Sequence, residues 1–281
     1  MINKFAVIGH PMGHTMSPFI HERLFGISKI DVEYSVYDIH PNDLKSKMEF
    51  LKSLAGFNIT IPHKQAIIPF LDYLDESATR YSAVNCVSML NGKSIGYNTD
   101  AFGFLTALKA GGLELKGNVL IAGCGGVART MAREAVIGGC HVTFGVLPRS
   151  IVAAQSLCDE LNNICEKSCR INLLDQVRGN FDLLVNATPV GMYPKVDAMP
   201  VTTNQLKNCG SVFDAIYNPN ETVLLKNARQ LKIKAVGGMS MLVWQAVASH
   251  KHWYNAEFNP SDIEKLIDDS KAEMLRLFNE K

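Results

Sequence analysis

Apolar positions in the N-terminal part of the chain follow two rhythms. Phe5-Ala6-Val7-Ile8-Gly9 is a short continuous run that predicts a buried strand, and Ser17-Pro18 supplies an N-cap followed by proline, predicting a helix through about Gly26. Val32-Glu33-Tyr34-Ser35-Val36-Tyr37-Asp38-Ile39 alternates with period two, and Asn42 opens a polar-faced helix ending near Ala55-Gly56. The order is β-α-β-α-β with parallel-sheet logic. Two further strands, Ala83 to Leu90 and Lys93 to Tyr97, meet across Asn91-Gly92, which favours a tight hairpin, so an antiparallel edge is expected.

The rhythm changes after Asp100. A helix from about Ala101 to Lys109 leads to Gly111-Gly112 and a strand at Asn118 to Ala122; strands recur at His141 to Leu147, Phe181 to Ala187, Ser211 to Ile216 and Ile233 to Val236, with helical stretches between. Such alternation predicts a doubly wound parallel sheet, and a domain boundary near Asp100. From Met241 to the end the pattern is helical, with apolar positions (Leu242, Val243, Ala246, Val247, Ile263, Leu266) placed to return over the first sheet.

Length and charge narrow the classes. At 281 residues two moderate domains are expected. Lys and Arg number 28 against 27 Asp and Glu, a balance that argues against capture of nucleic acid. No apolar run reaches the length of about eighteen residues that a membrane span needs, and the N-terminal run is too short for a signal segment, so the chain reads as cytoplasmic with no membrane partner. Seven scattered cysteines (Cys86, Cys124, Cys140, Cys158, Cys165, Cys169, Cys209) make neither a disulfide framework nor a zinc pair, and no metal is expected.

Candidate chemistry begins where Val119-Leu120-Ile121-Ala122 breaks into Gly123-Cys124-Gly125-Gly126-Val127. Glycines after a first strand allow a tight turn, close approach of a pyrophosphate and a helix start whose free amides bind phosphate. A glycine cluster alone also marks any tight strand-to-helix turn; the strand before, the helix after and the β-α units behind single out the dinucleotide reading. The next strand ends Val146-Leu147-Pro148-Arg149-Ser150, with no acid until Asp159. Arg149 and Ser150 therefore favour the 2′-phosphate of NADP, with NAD possible, and Arg129 adds charge from the first helix; Arg149 equally suits a solvated loop.

Lys64 follows Pro62-His63 at a helix start, where the dipole disfavours a cation, and Asp100 in Asn98-Thr99-Asp100 offers it a counter-charge. Interconverting a ketone and an alcohol needs such a proton-transfer pair beside a hydride carrier. Taken singly, a lysine there is an ordinary surface charge.

These residues and their order resemble the shikimate/quinate dehydrogenase family nearly end to end. The resemblance rests on Gly9-His10-Pro11 with His14-Thr15-Met16-Ser17-Pro18, Gly56-Phe57-Asn58-Ile59-Thr60-Ile61-Pro62-His63-Lys64, Ala83-Val84-Asn85 and Tyr97-Asn98-Thr99-Asp100-Ala101-Phe102-Gly103. It continues through Asn186-Ala187-Thr188-Pro189-Val190-Gly191-Met192, Asp214-Ala215-Ile216-Tyr217-Asn218-Pro219 and Met241-Leu242-Val243-Trp244-Gln245. It implies a substrate-binding catalytic domain of residues 1–100 plus 239–281, hinged to an NADP-binding Rossmann domain of residues 101–238 with the site in the cleft.

By the same resemblance Lys64 and Asp100 carry the proton, Thr15 and Ser17 bind a substrate carboxylate, and Thr60, Asn85, Tyr217 and Gln245 complete the substrate site. Gly123, Gly125, Gly126, Val127, Arg149, Ser150, Thr188, Gly238 and Met241 then form the cofactor site. The implied reaction is NADPH-dependent reduction of 3-dehydroshikimate by a monomer or homodimer; a quinate/shikimate enzyme using NAD or NADP, or a nucleotide-sensing paralogue with weak catalysis, are the alternatives. Thr15 stands where the family has Ser, Pro148-Arg149-Ser150 where it has Asn-Arg-Thr, and Ser240 where it has Gly.

Overall fold

β1 (Asn3–Gly9) is buried over its last five residues, as an interior strand of a covered sheet must be. The computed structural model describes residues 2–13 and 15–279. α1 (Ser17–Ile27), β2 (Val32–Asp38), α2 (Leu44–Leu51) and β3 (Gly56–Ile59) follow, and β1 pairs in parallel with both β2 and β3. The cap expected of Ser17 is not made: Met16 is the N-cap residue and Ser17 opens the helix, so its hydroxyl is not spent on capping. Asn42 likewise sits in a short 3-10 turn, Pro41–Asp43, ahead of α2.

α3 (His63–Ala66), β4 (Tyr73–Leu74) and α4 (Glu76–Tyr81) lead to the hairpin of β5 (Cys86–Leu90) and β6 (Lys93–Tyr97). Asn91 and Gly92 take the left-handed conformation, with φ of 51° and 73°, matching the twist of a two-residue hairpin. The strand order is β2-β1-β3-β5-β6-β4. The hairpin was expected at the edge, but β4 pairs in parallel with β6 and takes that place; a two-residue strand carries no periodicity to read.

α5 (Asp100–Ala110) leads to β7 (Asn118–Ala122), α6 (Gly126–Ile137), β8 (His141–Val146), α7 (Ile151–Asn162), β9 (Cys169–Leu173), β10 (Leu183–Asn186), α8 (Thr203–Leu206), β11 (Ser211–Asp214), α9 (Val223–Gln230) and β12 (Lys234–Gly237). These strands form one parallel sheet in the order β12-β11-β10-β7-β8-β9. Counted from β7 this is the 3-2-1-4-5-6 arrangement of dinucleotide folds. Apolar clusters cover both faces, one centred on Phe104, Ile121, Met131, Phe144 and Phe213, the other on Leu120, Leu184, Val212 and Leu224. β9 was not expected from the sequence.

α10 (Met239–Tyr254) and α11 (Pro260–Asn279) close the chain. As its apolar pattern suggested, α10 returns to the first sheet: the Trp253 ring lies 4.6 Å from Phe5, and its Nε1 donates to the Val87 carbonyl at 2.9 Å. Two compact units result, Met1–Gly103 with Val243–Ser270 and Phe104–Leu242 with Lys271–Lys281. The expected division put all of 239–281 with the first unit. The end of α11 sides instead with the second, where Asn220 Nδ2 donates to the Lys271 carbonyl at 2.7 Å.

The first unit also buries a polar chain under its sheet. His21 and His250 contact each other through Nδ1 and Nε2 at 2.9 Å, His250 Nδ1 meets the Tyr254 hydroxyl, and His21 stacks on Tyr34. Among the described residues no helix is long and apolar enough to cross a membrane, and no group of three or more His, Cys, Asp or Glu is placed to hold a metal ion.

Candidate active site

In an open sheet the crevice forms where neighbouring strands send their connections in opposite directions. β1 and β3 meet this condition in the first unit, and the loops leaving their carboxyl ends carry the candidate residues. After β1, Thr15 Oγ1 accepts from the Ser17 amide at 3.2 Å. Gly9 lets this loop lie against β3: a Cβ on Gly9 would come within 2.5 Å of both Met12 Sδ and Thr60 Cγ2. Asp38, at the end of β2, fixes the loop by accepting from the Met12 amide at 3.0 Å and pairing with His10 at 2.7 Å. The His10 hydrogen bond, then the Met12 amide, hold its carboxyl below the usual range.

After β3, Lys64 on α3 reaches Asp100 at the start of α5. Its Nζ donates to Asp100 Oδ2 at 2.6 Å, with side-chain exposures of 25% and 12%. Asn85 Nδ2 donates to Asp100 Oδ1 at 2.8 Å and contacts Thr99 Oγ1 at 2.9 Å, while the Thr99 amide donates to Asn85 Oδ1 at 2.8 Å. Thr99 Oγ1 reaches Gln245 Oε1 on α10 at 3.4 Å. The structure therefore gathers Lys64, Asp100, Asn85 and Gln245 into one cluster, in which Asn85 and Asp100 are buried and Lys64 and Gln245 are partly exposed.

Thr99 joins that cluster without having been singled out. So does a buried layer beneath it: Tyr34 donates to Asn58 Oδ1 at 2.8 Å, and Asn58 Nδ2 donates to Ser249 Oγ at 3.0 Å. Asn58 and Thr99 lie inside the quoted motifs, so their motif membership was the available signal; nothing in the sequence pairs Tyr34 or Ser249 with them. Tyr217, expected beside the substrate, belongs to the second unit, where burial raises its phenol above the ordinary value.

In the second unit β7 and β10 are the strands whose connections diverge. Gly123 follows β7 at φ 96°, and a Cβ there would press on the Ala187 carbonyl and Thr188 Cγ2, each at 3.0 Å. Gly125 is the N-cap residue of the twelve-residue α6, with no side-chain cap, and a Cβ on Gly125 or on Gly126 would meet no atom of the chain within 4 Å. Neither position needs glycine for the chain's own packing. Gly238 is different, because a Cβ there would overlap the Ala215 carbonyl at 2.3 Å.

Thr188 is tied to its own loop, its hydroxyl 2.7 Å from Asn186 Oδ1 and accepting from the Val190 amide at 3.1 Å. Asp214 stands behind that loop. It accepts from Asn186 Nδ2 at 2.9 Å, Thr222 Oγ1 at 2.6 Å and the Ile216 amide at 3.1 Å, and burial pushes its pKa up to about 6. Val127 packs on the core and Met241 is inside it, whereas Arg149 is exposed beside the half-buried Ser150. Arg129 does not offer a free charge: it pairs with Glu160 of α7, which Arg133 also contacts at 3.1 Å.

Residues 7–87 match the family model described as the shikimate dehydrogenase substrate binding domain. A shikimate dehydrogenase (NADP+) of Shouchella clausii is 36% identical over 95% of this chain and 98% of its own. A crystal structure of a shikimate dehydrogenase in complex with NADP+ superposes with a TM-score of 0.85 at 34% identity, covering 95% of each chain. One from Thermus thermophilus in complex with NADP(H) and shikimate gives 0.85 at 32% identity, over 96% of this chain and all of the other. Fold, site and likeness define the class, an NADP-dependent oxidoreductase. The chain belongs to the shikimate dehydrogenase family.

Proposed function

We propose that this chain catalyses the reversible, NADPH-dependent reduction of 3-dehydroshikimate to shikimate, on the route to chorismate and the aromatic amino acids. The observation that carries the reading is the ion pair of Lys64 and Asp100 at 2.6 Å, set among the amide and hydroxyl groups of Asn85, Thr99 and Gln245. NADPH, when bound, supplies a hydride to the carbonyl carbon. Lys64 as an ammonium group gives the proton that the new alkoxide oxygen takes, while Asp100 holds Nζ in place and balances its charge. Solvent then returns a proton to the neutral amine. In the oxidative direction neutral Lys64 accepts the hydroxyl proton.

Thr15 and Ser17 suit the substrate carboxylate, because hydroxyls donate to it without burying a second charge. Thr15 Oγ1 already accepts from the Ser17 amide, which leaves its own O–H to donate outward. Asn85, Gln245 and Thr60 supply donors and acceptors for the ring hydroxyls and the carbonyl.

The second unit fits the cofactor on its own chemistry. The bare backbone at Gly125 and Gly126, at the uncapped start of α6, admits a phosphate close to free amides, which is what glycine there serves. Gly123, Val127, Thr188, Gly238 and Met241 shape the surrounding loops, and Ser150 and Arg149 are the groups for a 2′-phosphate. Since Arg129 is engaged by Glu160, Arg149 is the exposed cation left for that phosphate beside the second strand. Arg149→Ala is expected to weaken NADPH about tenfold, roughly 1.4 kcal/mol, with NADH affinity nearly unchanged. Titration of both nucleotides checks it; equal losses would remove Arg149 from the 2′ position. The setting that fits is the cytoplasm, with the protein acting as monomer or homodimer.

A further inference from the structure

We infer that His63 is a positioning residue for this reaction: its imidazole fixes the single helical turn that carries Lys64 and so sets the amine against Asp100. The inference rests on Lys64 being the proton donor. α3 has four residues and no side-chain cap, and a helix that short does not hold itself together. Three ties fix it from outside. The His63 amide donates to the Thr60 carbonyl at 3.0 Å and the Val84 amide donates to the Lys64 carbonyl at 2.8 Å, bonds that almost any residue makes. The third needs an imidazole: His63 Nε2 donates to the Ile39 carbonyl at 2.7 Å.

The rest of the ring is a poor choice for packing. His63 is fully buried, and its Nδ1 has no hydrogen-bond partner. A buried polar atom left unpaired costs about 1–3 kcal/mol, which a phenylalanine of similar shape avoids. What the imidazole adds is its reach to Ile39, whose own amide donates to the Gly9 carbonyl at 2.9 Å. The turn bearing Lys64 is thereby tied to the ends of β2 and β1, where the Thr15 and Ser17 loop begins. A displacement of about 1 Å at a reacting group is enough to lower a rate about a hundredfold, so a tie of this kind is felt in turnover.

The test compares wild type, Lys64→Ala, His63→Phe and His63→Gln for kcat, KM for each substrate and the pH profile of kcat, with the folded fraction measured by circular dichroism. His63→Phe keeps the volume and removes the donor; the glutamine amide restores a donor near Nε2. The expected result is a fall in kcat of about tenfold to a hundredfold in His63→Phe, with KM for NADP+ unchanged. The limb of the pH profile that Lys64→Ala removes should move, and His63→Gln should recover most of the rate. A His63→Phe rate close to wild type, a loss matched by loss of folded protein, or an unmoved limb without recovery in His63→Gln would overturn the assignment. Failure of the underlying reading looks different: no turnover by wild type, or an undiminished rate in Lys64→Ala.

Discussion

Lys64→Ala is expected to lower kcat/KM for shikimate by about 10²- to 10⁴-fold, roughly 3–5 kcal/mol of transition-state stabilisation, the range a positioned acid or base supplies. The loss appears in kcat, because the proton moves only in the chemical step, and NADPH affinity is preserved, since the glycine turn belongs to the other unit. Asp100→Asn separates position from charge. The amide keeps the carboxylate's shape and an oxygen for Asn85 but removes the counter-charge that Nζ meets at 2.6 Å, so kcat falls again while the fold is retained. Steady-state kinetics of both variants with direct nucleotide titration check the assignment. Activity within a few-fold of wild type in Lys64→Ala would place the proton transfer on another group.

A second large effect is on stability in acid. Burial lowers the pKa of His21 to about 3 and that of His250 well below the ordinary value, the latter also through the neighbouring His21. The geometry explains the neutral state. His21 Nε2 has no partner, so its proton sits on Nδ1 and points to His250 Nε2, and His250 Nδ1–H points to Tyr254. A further proton on either ring has no acceptor.

The sign follows from which state binds the proton. Between about pH 6.5 and 3 the unfolded chain protonates the His21 imidazole and the folded chain does not, so stability falls as pH falls, and His250, lowered by burial and by the neighbouring His21, acts with the same sign. Each group contributes about 1.4 kcal/mol per pH unit, and His21 alone amounts to roughly 4–5 kcal/mol across the window. Asp214 works in the other direction. Its pKa is raised to about 6, so the folded state binds the extra proton and stability is lost as pH rises through that range. It offsets the His21 contribution between about pH 6 and 4, so the net fall in that range comes from His250 and the full His21 slope returns below it. Replacing both partners of a buried hydrogen bond by apolar groups is nearly neutral. The double variant His21→Leu with His250→Leu removes both partners of that contact but also the one His250 makes with Tyr254, so it is expected to lose a little stability at pH 7 and to lose the steep fall below pH 6.5 in urea titrations. An unchanged slope would show that the unfolded state, or other carboxylates, governs the acid limb.

The legible parts of this protein are those written in local chemistry. The hairpin at Asn91-Gly92 could be read because two adjacent residues must take positive φ; the glycine turn after β7 could be read because strand, turn and helix are contiguous. β9 was missed because Cys169–Leu173 is a short edge strand, paired only with β8, that buries little beyond Cys169. The pairing of Arg129 with Glu160 was also hidden: a charge on α6 looks free until α7 is laid beside it. His21 and His250 are 229 residues apart, and no periodicity in either segment announces a buried pair. His63 looks like part of a motif; only its buried ring and the Ile39 carbonyl show what it holds. Lys64 and Asp100 are singled out in the sequence by their motifs, but the 2.6 Å contact between them is a property of the fold.

Whether the protein oxidises shikimate with NADP+ is read from the rates of nicotinamide reduction with shikimate or quinate, each paired with NADP+ or NAD+. Shikimate with NADP+ is expected to exceed every other pair in kcat/KM by about tenfold or more, about 1.4 kcal/mol of differential transition-state binding. Equal rates with quinate, or a preference for NAD+, would overturn the roles given to Thr15 and Arg149, and no turnover with any pair would rule out shikimate oxidation by this protein.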